Sequence, residues 1–195
     1  MTSPKRVVLA TKNAGKVREL ERILAPYGLV LEGAPYEPGP ETGRTFADNA
    51  LAKAREGVAH TGLPSIADDS GLTVDALNGM PGILSARWAG RHGDDLANLQ
   101  LVLGQLADVE DRGAAFVCAA AYALPDGRSE VVLGELRGSL IFEPRGTNGF
   151  GYDPVFVPDG YAVTSAELSP ADKDAMSHRG QAFRALAPVL AAALA

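Results

Sequence analysis

The sequence predicts an α/β fold, and three stretches carry that reading. Arg6-Val7-Val8-Leu9-Ala10 is an apolar run with the pattern of a buried strand, and Val17, Leu20 and Leu24 then recur at helical spacing. Pro64-Ser65-Ile66-Ala67 is a second short apolar run, consistent with another buried strand. Phe116 to Leu124 and Glu130 to Leu136 read as strands joined by the hairpin residues Pro125-Asp126-Gly127. Strand-like and helix-like segments alternating along one chain point to a sheet with helices packed on it.

The 195 residues suffice for a sizeable core, and without an internal repeat, low-complexity tract or linker the chain reads as a single domain over 1–195. Hydrophobic residues make up 46% and charged residues 22%, the balance of soluble globular material. No apolar run approaches the roughly 20 residues of a membrane span, and Met1-Thr2-Ser3-Pro4 leads directly into strand-like sequence. The lone cysteine, Cys118, excludes an intrachain disulfide and reads as a buried structural thiol. A cytoplasmic setting is expected. The net charge of −6 argues against broad nucleic-acid binding, which calls for a basic face. It is compatible with a polyphosphate gripped by a few lysines and a metal.

Taken in order, the first strand is followed by the polar loop Thr11-Lys12-Asn13-Ala14-Gly15, with Asn13 placed to cap the helix and Pro26 and Gly28 to end it. Strand, polar glycine loop and helix is the arrangement that binds phosphate at a helix N-terminus, and also that of a plain βα turn. It is not a Walker A loop, because Val17 follows Gly15-Lys16 and the upstream glycine is missing. Gly28 to Gly33 reads as a strand and Pro35 to Gly43 as a loop. Thr45 with Asp48 forms a capping-box pattern, and Phe46, Ala50, Ala54 and Val58 give the next helix its core face. Asn49 and Lys53, four apart, project together from another face.

The run Pro64 to Ala67 then stops at Asp68-Asp69-Ser70-Gly71, where Gly71 permits a turn. Adjacent strand residues point to opposite faces, so the two carboxylates cannot share one task unless the chain turns there. Two close carboxylates raise each other's pKa unless a cation such as Mg²⁺ neutralises them; solvated side chains in a strand-to-turn connection are the plainer alternative. Gly79-Met80-Pro81-Gly82 reads as a loop, and Leu96, Leu99, Leu103 and Leu106 as a core stripe. Gly146 to Pro154 is glycine-rich and carries Phe150, a face on which a flat ligand can stack or a buried anchor. Ser169 to Asp174 suggests a short helical turn. Ser177 is placed to cap a last helix with Phe183, Leu186 and Leu190 as its stripe, and Pro188 should kink or end it. His178 and Arg179 in its first turn are unfavourable beside a helix N-terminus, so an anionic or carbonyl-bearing group should face them.

Together these stretches resemble the Ham1-like nucleoside triphosphate pyrophosphatases, which hydrolyse inosine and xanthosine triphosphates. The matching motifs, in order, are Leu9 to Lys16; Glu41-Thr42-Gly43 with Phe46, Asn49-Ala50 and Lys53-Ala54-Arg55; Ala67 to Leu72; Pro81-Gly82-Ile83 with Ser85-Ala86-Arg87; Gly149 to Pro154; and Ser177 to Ala182. Pro40 stands before Glu41 where relatives often carry another acid. The resemblance implies a two-lobed mixed sheet flanked by helices with the active site in the cleft between lobes, a homodimer, and Mg²⁺-dependent cleavage between the α and β phosphates of a purine nucleoside triphosphate. It implies that Thr11, Lys12, Asn13, Ala14, Gly15 and Lys16 bind the triphosphate with Lys53 and Lys173. Glu41 and Asp69 would hold the metal, Asp69 would also deprotonate the attacking water, and Ser70 would bind substrate. Phe150, Gly151, Tyr152 and Asp153, with His178 and Arg179, would hold the base. Arginine only donates hydrogen bonds, which suits the 6-oxygen of inosine and xanthosine. The Ser177-His178-Arg179 stretch separates this reading from the related Maf-like group. The Asp68-Asp69 pair and the acidic charge weigh against a non-catalytic nucleotide-binding or RNA-binding module.

Overall fold

The computed structural model describes Lys5–Leu194; the opening Met1–Pro4 and Ala195 lie outside the described residues. One six-stranded sheet runs through the chain in the order β2-β1-β3-β4-β5-β6. Its strands are β1 (Lys5–Leu9), β2 (Leu29–Gly33), β3 (Ser65–Val74), β4 (Gly113–Ala123), β5 (Ser129–Leu140) and β6 (Phe156–Pro158). Its helices are α1 (Ala14–Leu24), α2 (Phe46–Thr61), α3 (Asp95–Gln105), α4 (Pro170–Met176) and α5 (His178–Ala193). β1 runs parallel to both β2 and β3, with Lys5 opposite Leu29 and Val8 opposite Ser65, whereas β5 and β6 are antiparallel, so the sheet is mixed. Among the described residues no helix is long and apolar enough to cross a membrane.

The chain divides into two compact units. The first takes the described residues up to Asp69, then Cys118–Gly134, then those from Arg179 on. Its larger core joins Val7, Leu9 and Ile66 of the sheet to Leu20, Ile23 and Leu24 of α1 and to Phe183, Leu186 and Leu190 of α5. Full burial of each such side chain contributes about 1.5–3 kcal/mol. On the other side of the sheet the lining is nearly all alanine: Ala10, Ala67, Ala119, Ala121 and Ala123 meet Ala50 and Ala54 of α2. Small residues let α2 come close. A Cβ on its Gly57 would stand 2.1 Å from Ser65 Oγ. That close approach brings the polar side chains of α2 within reach of β3.

The second unit takes Ser70–Val117 and Glu135–His178, and its core joins Leu72, Val74, Phe116 and Leu140 to Leu99, Val102 and Leu106 of α3 and to Tyr152, Val155 and Phe156. The stripe on α3 therefore starts one turn later than expected. Leu96 is 64% exposed, being only the second residue of the helix, and Val102 takes the buried place with Leu103 packed beside it.

Two further expectations are corrected. The strand carrying the acids does not stop at them: β3 is ten residues long and runs through Asp68, Asp69 and Gly71 without a turn. Each carboxylate is satisfied by partners from elsewhere in the chain, so neither needs solvent. α5 continues through Pro188 to Ala193 because its buried face, from Ala182 to Leu190, is anchored in the core on both sides of the proline. Ser177 stands where expected, immediately before α5 and with extended backbone, and its N–H also bonds to the Lys173 carbonyl at the end of α4.

Candidate active site

In the first unit, β1 delivers a polar loop to the N-terminus of α1. Asn13 caps that helix: its Oδ1 accepts from the N–H groups of Gly15 at 3.0 Å and Lys16 at 3.2 Å. Thr11 Oγ1 accepts from the Asn13 N–H at 3.2 Å, which fixes the loop one residue earlier. Of the two loop lysines, Lys12 pairs with Glu37 at the surface, and Lys16 turns inward to Asp68 at 2.9 Å.

The alternation of β3 assigns Asp68 and Asp69 to opposite faces. Asp69 faces α2, on the side of Ala67. Its Oδ2 accepts from Asn49 Nδ2 at 2.9 Å, and its Oδ1 lies 3.6 Å from Lys53 Nζ. Lys53 Nζ also donates to Glu41 Oε1 at 2.8 Å, so one ammonium stands between two carboxylates. Asn49 accepts from the Gly43 N–H at 2.7 Å through its Oδ1, tying the loop that carries Glu41 to the same helix. Gly43 is required there, because a Cβ would lie 2.5 Å from that oxygen. Burial is the main influence pushing the Asp69 carboxyl above the ordinary carboxylate range; Lys53 opposes it, and Glu41 adds to it. For Lys53, burial works against the charge, but Asp69, Asp68 and Glu41 together raise its pKa.

Asp68 faces the side of α1 and α5. Its Oδ2 meets Lys16 Nζ at 2.9 Å and Arg179 Nε at 3.2 Å, and Arg179 Nη1 is bonded in turn to Glu19. Asp68, Glu19 and Arg179 are all buried. Burial alone would raise the Asp68 pKa, yet Lys16 and Arg179, with help from Lys53, hold it well below the usual range. The Asp68 and Asp69 carboxyls are thus shifted in opposite directions, and Glu41 adds to the rise at Asp69. The expected anionic partner of Arg179 exists, as two carboxylates of this chain.

In the second unit the glycine-rich loop is organised by Asp153. Its Oδ2 accepts from the Phe150 N–H at 2.8 Å and from Lys173 Nζ at 2.6 Å. Lys173 Nζ also stands 5.1 Å from the centre of the Phe150 ring. Gly149 has φ +77°, and a Cβ there would lie 2.1 Å from the Asp153 carboxylate, so both its conformation and its lack of a side chain are used. Tyr152 is buried, with its hydroxyl donating to the Ser85 carbonyl, while the Gly151 N–H donates to Asp95. The His178 ring stacks on Phe116, centroids 5.0 Å apart. Ser70 is half-buried on β3.

The profile of the Ham1 family matches residues 7–189. This chain belongs to the Ham1 family. It is 60% identical to a dITP/XTP pyrophosphatase of Streptomyces coelicolor over 193 residues, covering 95% of this chain and 96% of that protein. It is 58% identical to one of Nocardia farcinica, covering 96% and 95%. A crystal structure of a nucleoside-triphosphatase, or dITP/XTP pyrophosphatase, from Mycobacterium abscessus is 57% identical, with a TM-score of 0.76 over 93% of this chain and 98% of that one. A Ham1 protein of Coxiella burnetii gives a TM-score of 0.87 at 42% identity, covering 95% and 98%.

Of the residues that the Ham1 resemblance singles out, the first unit brings Lys16, Glu41, Lys53, Asp69 and Arg179 into linked ion pairs. The second unit joins Phe150, Asp153 and Lys173. Lys173, expected beside the triphosphate, is held on Asp153 and over an aromatic ring. Three residues without an assigned role, Asp68, Asn49 and Glu19, join these groups. Asn49 was signalled by its spacing from Lys53. Glu19 carries no signal beyond being an acid on the buried face of α1.

Proposed function

We propose that this chain hydrolyses deaminated purine nucleoside triphosphates (ITP, dITP, XTP) to the monophosphate and pyrophosphate, clearing them from the nucleotide pool. The observation that carries the reading is Asp69. It is a buried carboxylate with a raised pKa, aimed by Asn49 and Lys53 and set beside Glu41. A general base works best when its pKa is brought toward the operating pH. Asp69 is therefore the group to take the proton from the attacking water. The loop Thr11–Lys16 at the start of α1 is suited to the phosphate chain, since helix N-termini and lysines favour anions. In the second unit Phe150 offers the stacking face for the base, with Gly151 and Asp153 shaping its loop. Ser70, Tyr152, His178 and Arg179 complete the substrate-binding set that the family resemblance implies.

The donor set fits Mg²⁺. Two carboxylates sharing one ammonium are hard oxygen ligands whose mutual repulsion a dication relieves. Among the described residues no cluster of three or more potential ligands exists. Mg²⁺ commonly takes one or two carboxylates and completes its shell with substrate phosphates and water. When bound by Glu41 and Asp69 it would neutralise phosphate charge and make bound water more acidic. The protein's own share is to aim Asp69 through Asn49 and Lys53 and to set lysines along the phosphates; phosphoryl chemistry needs such positioning more than covalent help. We further propose a cytoplasmic homodimer, the dimer resting on the family resemblance and the compartment on composition.

The test is pyrophosphate release from ITP with and without Mg²⁺, run in heavy-oxygen water. Mg²⁺-dependent pyrophosphate with the label in the monophosphate is expected. Label confined to pyrophosphate would place attack at the β phosphorus. Orthophosphate as the first product would exclude the reaction.

A further inference from the structure

The Pro81-Gly82-Ile83 and Ser85-Ala86-Arg87 motif has no part in the chemistry above, yet it sits at a junction. After Val74 the chain folds back so that Pro81 bridges Thr73 of β3. The turn Gly82–Arg87 follows, with Ser85 buried in it. The Ser85 hydroxyl accepts from the Leu72 N–H at 2.9 Å and donates to the Gly82 carbonyl at 2.6 Å. It thus supplies the hydrogen bond of a strand residue two positions beyond Ser70. The Ser85 carbonyl accepts from the Tyr152 hydroxyl at 2.8 Å. Burial pushes the Tyr152 phenol up, so it remains a donor at every working pH.

α3 closes the arrangement from the other side. Ala89, just past the turn, donates to Asn98 Oδ1 at 2.7 Å, and Trp88 Nε1 donates to Gln105 at 2.8 Å. Asp95 at the start of α3 accepts from Gly151 at 2.9 Å. The turn, α3 and the glycine-rich loop are therefore tied pairwise, and Ser85 is where the turn meets both β3 and the loop. The buried bonds at Ser85, to Leu72, Gly82 and Tyr152, fix one geometry, because breaking any of them strands a polar group.

We propose that Ser85 is a positioning residue for the base-binding loop: through its hydroxyl and carbonyl it sets the place of Phe150–Asp153 relative to the Ser70 segment of β3. This rests on the reading of that loop as the base site. It predicts an effect on base recognition that leaves the phosphate contacts of the first unit, Thr11–Lys16 and Lys53, alone. Losing one buried hydrogen-bond partner of this kind should raise KM for ITP about tenfold in Ser85→Ala, with kcat within about threefold of wild type. The dissociation constant of inorganic tripolyphosphate, measured by calorimetry in Mg²⁺ buffer, should stay within about twofold, because that probe has no base. Tyr152→Phe keeps the ring that the base site would use and removes only the hydroxyl, which is buried against the Ser85 carbonyl; it should show the same split and carries the test where Ser85→Ala fails to fold. The double variant should raise KM by less than the product of the single effects, since both cuts break one connection.

An unchanged KM in a folded variant, a tripolyphosphate constant that rises in step with KM, or single effects that simply multiply would each overturn the proposal. A wild-type protein that turns over no ITP would instead overturn the proposed function. Normal wild-type turnover with unaffected variants removes the role of Ser85 alone.

Discussion

Asp69→Asn is expected to lower kcat for ITP by at least ~10²-fold, the lower range for loss of a general base, with the melting temperature almost unchanged. Asparagine has the shape of aspartate, and its side-chain oxygen can still accept from Asn49 Nδ2, the 2.9 Å bond that aims the group. Lys53 keeps Glu41 at 2.8 Å, so no ammonium is stranded. What disappears is the charge that would accept the proton and bind the metal. Protonation of the wild-type carboxyl does the same, which fixes the sign of the pH dependence. The Asp69 pKa is raised, chiefly by burial and then by Glu41 against the opposing Lys53. In the metal-free protein the Asp69 carboxyl should therefore titrate above a solvated aspartate. Mg²⁺ held by Glu41 and Asp69 lowers it, so the acid limb of activity should move to lower pH as Mg²⁺ is raised, and the variant's profile should lack that limb. Steady-state kinetics across pH and a thermal melt decide the matter. Near-normal turnover in the variant would remove Asp69 from the mechanism.

Local features of this fold were legible because their causes are local. Asn13 and Thr45 cap their helices as their positions suggest, each accepting from backbone N–H groups two or three residues on. Asn49 and Lys53, read only as neighbours on one helix face, do reach one target together. The acid pair was harder. Two adjacent buried carboxylates are unfavourable in a strand considered alone, so a turn at Gly71 was the natural expectation. The strand persists because the partners of Asp68 and Asp69 come from far along the chain: Arg179 is 111 residues from Asp68, and Asn49 is 20 from Asp69. No window of sequence shows such pairings. The same reason hides the role of Glu19, which matters only because α5 carries Arg179 to it. The adjacency of Asp68 and Asp69 was informative in another way. Period-two alternation means that neighbours divide tasks, and here one carboxylate is locked ionised while the other is held closer to the pH at which it can work.

Arg179→Ala is expected to destabilise the folded chain by about 3–5 kcal/mol, the cost of removing one member of a buried ion network. The guanidinium, 2% exposed, supplies Nε to Asp68 at 3.2 Å and Nη1 to Glu19. Alanine would take that donor from buried Glu19 and one cation from Asp68, which keeps Lys16 at 2.9 Å. The penalty is the stranded charge rather than the lost contact, and this gives a second arm to the test. Arg179→Met combined with Glu19→Gln removes the cation and one of the anions together while keeping much of the volume, and should recover a substantial part of the loss. The pH dependence follows from Asp68. Its pKa is depressed because Lys16 and Arg179 outweigh burial, so its stabilising contribution is present above the ordinary aspartate pKa and is lost only as pH falls through the depressed value. The wild type should therefore keep this contribution into mildly acidic solution. Denaturant unfolding of the three proteins at neutral and mildly acidic pH measures all of this. A loss below about 1 kcal/mol in Arg179→Ala, the range of an exposed pair, would mean that water reaches the network and that Arg179 does not hold Asp68 in place.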